Sequence, residues 1–169
     1  MFGWQLTGMA MALSVVTYPT HAFDYGSVDA INIGNEKLVM VRTTTKEAFS
    51  FPLETTLGMS QGYRGGHPGV DLRAPKGTGV ESIADGVVVE VEEVPVGYGH
   101  FVRIAHEGTL STLYAHLDKV EVEPGEKVIR GQQIGDVGMT GWTTGPHLHF
   151  EVMVGNKAVN PLDIISDNR

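Results

Sequence analysis

Gly145-Pro146-His147-Leu148-His149-Phe150-Glu151-Val152 runs from a Gly-Pro turn into residues that favour extended backbone. From Leu148 on they are apolar, aromatic or β-branched, the composition of a strand packed on a core. Side chains two apart on a strand point to the same face. His147 and His149 therefore face one way, and Leu148 and Phe150 the other. Two imidazoles on one face just after a turn are either half of a metal site or a pair of surface histidines. The rest of the chain has to decide between them.

The bulk numbers narrow the field. A chain of 169 residues accommodates one domain with a real core and a short extension. The 22 Gly are spread along the chain, which implies many tight turns and a β-rich fold. A net charge of −8 and the lack of any basic stripe argue against nucleic acid as a partner. There is no Cys, so no disulfide holds the fold and any metal must be bound by His, Asp or Glu. The segment from Met1 to Val16 is apolar but short for a membrane span, which needs about 20 residues. It reads as the apolar part of a signal peptide, with Thr20-His21-Ala22 as the cleavage site, although no Lys or Arg precedes it. Residues 1–22 are thus expected to be an export signal or apolar N-terminal segment. Residues 23–55 are expected to form an extension with short strands at 31–33 and 37–42, and residues 56–165 the main domain.

Within the main domain, the Gly-rich loop 57–66 leads into His67-Pro68-Gly69-Val70-Asp71-Leu72. Pro68-Gly69 rules out a helix, so His67 belongs to a turn and Asp71 to the strand that follows it. Asp85-Gly86 marks a hairpin turn, and Val87–Val91 a strand. His100–His106 and Ser111–Leu117 read as further strands, with His116 near the end of the second. Pro124-Gly125 is a turn, Lys127–Gly141 gives short β segments broken by Gly, and Asp163 onward is a terminal tail. Short strands at close intervals, with no helical period, predict an all-β fold: an antiparallel β sandwich or barrel.

Five residues stand out as chemistry: His67, Asp71, His116, His147 and His149. A catalytic zinc commonly takes three protein ligands and leaves one position open. Five candidates exceed three, and the surplus histidines suit proton transfer or hydrogen bonding to a developing oxyanion. Spacing alone does not divide ligand from catalyst between His147 and His149.

The motifs HPGVD (67–71), APKGTGV (74–80), ADGVVVEV (84–91), GYGHFVRIAH (97–106), LYAHL (113–117), PGEKVIRGQQIGDVGMTG (124–141) and TGPHLHFEV (144–152) occur in that order. Together they resemble the lysostaphin/LytM-type zinc metallopeptidases, the glycyl-glycine endopeptidase or duplicated-hybrid-motif family, over about Gly58 to Leu162. The resemblance implies one Zn2+ held by His67, Asp71 and His149, with His116 and His147 as the catalytic histidines. It implies hydrolysis of peptide bonds in peptidoglycan cross-bridges or stem peptides, outside the cytoplasm. Tyr98, Thr140, Trp142 and Thr144 lie in loops beside motif positions and are candidates to line the substrate groove. His21, His100 and His106 match no functional position. The Gly62–Gly66 loop before HPGVD is shorter than is usual in the family.

Two other readings remain open. Some family members have lost ligands and instead bind the wall and activate an amidase, whereas this chain retains all five positions. ADGVVVEV and PGEKVIRGQQIG also resemble parts of lipoyl or biotinyl carriers and of sugar-phosphotransferase carriers. No Lys sits in a tight hairpin flanked by the expected Met, and HxxxD with HxH favours metal over phosphoryl chemistry.

Overall fold

The computed structural model describes residues 49–165. The export-signal reading of 1–22 and the strands expected at 31–33 and 37–42 lie outside the described residues. Ten strands follow in order: β1 (Met59–Gln61), β2 (Gly69–Arg73), β3 (Gly79–Glu81), β4 (Gly86–Glu93), β5 (His100–His106), β6 (Leu110–Val120), β7 (Lys127–Val128), β8 (Gln133–Val137), β9 (His147–Val154) and β10 (Lys157–Val159). A single 3-10 turn, Pro161–Asp163, comes after them. The main sheet path is β1-β2-β9-β6-β5-β4-β7, with β10 on β9 and β3 joined to β6 through β8. Every pairing between these strands is antiparallel, which is the expected all-β architecture. No helix among the described residues is long and apolar enough to cross a membrane.

β9 lies at the centre, with β2 on one side and β6 on the other. Its alternation is clean. Leu148, Phe150 and Val152 are fully buried in the main core, together with Val70 and Leu72 of β2. Phe150 packs against Tyr114 of β6 with ring centroids 5.2 Å apart. Full burial of an aliphatic or phenyl side chain contributes about 1.5–3 kcal/mol, so this apolar face fixes the register of all three strands. A slip of one residue would turn every core residue outward. The correct register places Asp71 directly opposite His149, and His149 opposite Ala115.

β6 pairs with β9 through Ala115 and with β8 from Leu117. Between the pairs Val102↔Tyr114 and His100↔Leu117, β5 supplies one intervening residue and β6 supplies two, Ala115 and His116. That extra residue is a β-bulge, the device by which strands change sheets at a corner. The parity of the core face flips across it: Thr112 and Tyr114 are buried inward before the bulge, and Leu117 after it.

Two local readings are corrected. Asp85-Gly86 does not close a hairpin, because β3 pairs with β8 while β4 pairs with β5 and β7. Gly86 is a strand residue instead. A Cβ there would come within 2.6 Å of the Ala105 carbonyl oxygen and 2.8 Å of His106 Nδ1. Ile164 and Ile165, expected to lie in the terminal tail, instead pack on the domain, with Ile165 buried in the core. At the other end Leu53 bridges to Val80 and is buried, so residues just before 56 pack on the domain.

Candidate metal centre

The centre is assembled on the non-core face of β2 and β9, with contributions from the loop before β2 and from the bulge in β6. Arg64 and His67 exchange backbone hydrogen bonds around Gly65-Gly66, and Gly66 takes a φ of 82° that a side chain would resist. This tight turn folds His67 back over the strand. His67 Nδ1 donates to the Gly62 carbonyl at 3.0 Å, which leaves Nε2 facing Asp71 Oδ1 at 3.1 Å. His149 Nδ1 lies 2.7 Å from the same oxygen.

His67, Asp71 and His149 each offer one ligand atom, and these atoms all lie within 4.8 Å of one another. Two imidazole nitrogens and a carboxylate oxygen are suitable donors for a divalent transition metal, and no thiol is required. The other ring nitrogen of each histidine is already engaged, as metal-binding histidines usually require. The donor chemistry and its spacing therefore fit a metal ion.

Two further histidines adjoin this group. His147 shares the face of His149, with Nε2 3.7 Å from Asp71 Oδ1. Its Nδ1 donates to the Gly145 carbonyl at 2.8 Å and has the Thr143 hydroxyl at 3.2 Å. His116 is the bulge residue, with a φ of 61°, and its ring centroid is 4.7 Å from that of His147. Its Nδ1 donates to the Thr140 carbonyl at 2.8 Å and its backbone N–H donates to the Tyr98 carbonyl at 2.9 Å. The structure thus brings all five residues singled out in the sequence into one cluster.

A model described as peptidase family M23 matches residues 65–161, more than half of the chain. The chain belongs to peptidase family M23. It is similar to the peptidoglycan DD-endopeptidase ShyA of Vibrio cholerae, at 47% identity over 96 residues, covering 57% of this chain and 22% of that protein. The matched stretch thus spans about a fifth of the length of such relatives. Among solved structures it is similar to a zinc containing peptidase from Vibrio cholerae (37% identity, TM-score 0.54, 68% of this chain and 36% of that one). It is also similar to lysostaphin from Staphylococcus simulans (35% identity, TM-score 0.59, 63% of this chain and 48% of that one).

The loops around this M23 cluster are tied to each other. Thr140 is the hub: its hydroxyl donates to the Leu117 carbonyl at 2.8 Å and accepts from the His100 N–H at 3.0 Å, while its own carbonyl holds His116. Trp142 N–H donates to the Gly97 carbonyl at 2.9 Å, and the side chain is 78% exposed. Thr144 is exposed on the same loop. The Tyr98 ring lies 5.5 Å from that of His149, and its hydroxyl donates to Glu151 Oε1 at 2.6 Å. His106 stands apart, its ring held by the Asp85 carbonyl and the Thr112 hydroxyl. His21 lies outside the described residues.

Sequence reasoning missed Glu151, which is 4% exposed and accepts from His149 Nε2 at 2.9 Å. The signal was available, since Glu151 follows His149 by two residues on the same strand and so shares its face. The electrostatics follow from this packing. Burial disfavours charge on His149, but hydrogen bonds to Asp71 and Glu151 outweigh it and lift its pKa to about 9. Burial likewise opposes ionisation of Asp71 and Glu151, yet the hydrogen bond to His149 holds both below the usual carboxylate range. Burial raises the Tyr98 phenol to about 12, aided by Glu151, so it remains a donor. Burial lowers His116 below the ordinary imidazole value. A metal ion held here by His67, Asp71 and His149 would take the place of the proton on His149 Nδ1, so metal uptake would be coupled to proton release.

Proposed function

We propose that the chain is a zinc-dependent endopeptidase that hydrolyses peptide bonds in the cross-bridges or stem peptides of peptidoglycan, outside the cytoplasm. The observation that carries this reading is the convergence of the His67, Asp71 and His149 donor atoms within 4.8 Å beside two more oriented histidines. Family membership and the names of its relatives support the same chemistry. His67 Nε2, Asp71 Oδ1 and His149 Nδ1 would hold the zinc. Bound there, zinc supplies Lewis acidity, polarising a peptide carbonyl and lowering the pKa of water from 15.7 towards about 7.

The remaining work falls to the chain's own groups. Because the Thr140 and Gly145 carbonyls can only accept, His116 and His147 carry their hydrogens on Nδ1 and expose Nε2. One of these Nε2 atoms accepts the proton of the attacking water; once protonated it can donate a hydrogen bond to the oxyanion that develops on the scissile carbonyl, and it then gives that proton to the departing amine. An extended peptide suits a cleft whose floor is a sheet, and Tyr98, Thr140, Trp142 and Thr144 border it.

The test is release of soluble peptides from purified peptidoglycan, with and without a chelator, with zinc added back. Chelator-sensitive, zinc-restored release is the expected result, and mass spectrometry of the fragments names the bond. If the folded, zinc-loaded protein releases nothing from walls of several bridge chemistries, the reading is overturned.

A further inference from the structure

Glu151 is a buried carboxylate that the proposed chemistry does not use. It sits in the middle of β9 between Gly69 of β2 and Leu113 of β6. Space is made for it: a Cβ on Gly69 would fall 2.9 Å from Glu151 Cγ and 2.4 Å from the Phe150 carbonyl oxygen. A carboxylate in such a place is expensive to bury unless it is hydrogen-bonded. Both of its hydrogen bonds reach one atom, Oε1, from His149 Nε2 at 2.9 Å and from the Tyr98 hydroxyl at 2.6 Å.

The consequence concerns which nitrogen His149 offers. A neutral imidazole has one N–H and one lone pair, and either nitrogen can carry the hydrogen. His67 faces Asp71 with Nε2, whereas His149 does so with Nδ1. His149 is useful to a metal only when its hydrogen is on Nε2, the nitrogen that meets Glu151. We propose that Glu151, anchored by the Tyr98 hydroxyl, is a positioning residue that commits His149 to presenting its Nδ1 lone pair to the metal and strengthens it as a donor. The proposal rests on the zinc reading above.

It is tested on the full chain by zinc affinity, measured by competition with a chromophoric chelator at fixed pH. E151Q keeps an oxygen able to accept both hydrogen bonds and removes only the charge, while E151L removes both. Loss of such a partner weakens metal binding by about 10–100-fold, so E151Q is expected near the lower end and E151L near the upper. The exposed control E92Q binds as wild type. At saturating zinc, E151Q recovers most of its peptide-releasing activity, because its effect acts through metal loading. If wild type binds zinc and folded E151Q binds it equally tightly, strengthening by the carboxylate charge is overturned, whether or not E151L folds; equal binding by folded E151L overturns the commitment of the Nδ1 lone pair as well. If wild type binds no zinc, the functional reading falls, and this inference with it.

Discussion

His116 holds a φ of 61°, a left-handed conformation that costs a non-glycine residue about 1–3 kcal/mol and persists only where its surroundings enforce it. Here they do, through the Tyr98 carbonyl on its N–H and the Thr140 carbonyl on its ring. The neighbouring histidines divide by partner. His149→Ala is expected to lose both metal and activity, whereas His147→Ala keeps the metal and loses about 10²–10⁴-fold in turnover, the usual worth of a general acid–base group. Metal content and peptide release measured on the two variants check this, and release of metal by the His147 variant alone would reverse the assignment. His106 makes a separate prediction. Burial lowers its pKa in the folded state, with Asp85 pulling the other way. The unfolded chain therefore binds the proton first as pH falls below about 6.5, and stability drops with acidification across that window. In thermal melts between neutral and mildly acid pH, His106→Gln should flatten the pH dependence relative to wild type.

At the scale of elements, β9 was legible because its two faces differ so strongly in kind, and β2 followed from the Pro68-Gly69 turn signal at its start. The loop between β4 and β5 and the loop before β9 were not legible as a unit, because nothing local says that they touch. They do so without room for a single added carbon. Gly99 has a φ of 68°, and a Cβ there would meet Thr140 Oγ1 at 2.4 Å. A Cβ on Gly141 would meet the Gly97 carbonyl oxygen at 2.4 Å. Gly99→Ala should therefore destabilise the domain by more than the about 1–2 kcal/mol that the backbone conformation alone demands. It should also lower turnover by moving Thr140 away from His116. Denaturant unfolding and turnover at saturating zinc measure the two effects separately. Asp85-Gly86 is the opposite case: a strong local turn signal overridden by the pairing of β4 with β5 and β7.

For the whole molecule, zinc binding as proposed would be linked to folding, since His149 comes from a segment far in sequence from His67 and Asp71 and meets them only when folded. Zinc at 100 times its dissociation constant should stabilise the domain by about 2.7 kcal/mol. A melt in chelator against one in zinc reads this directly, and His149→Ala should abolish the difference. By itself the sequence determined the fold class, the two-faced strand and the five chemical residues, because strand periodicity and ligand chemistry are written in local order. It did not determine how His116 joins His147 and His149. By strict alternation, with Tyr114 facing the core, His116 would face the core as well, and only the bulge between β5 and β6 turns it to the other side. Nor did it determine which nitrogen each histidine offers. That was decided by carbonyl and carboxylate partners from other loops and strands, which proximity in three dimensions, and not order along the chain, brings into contact.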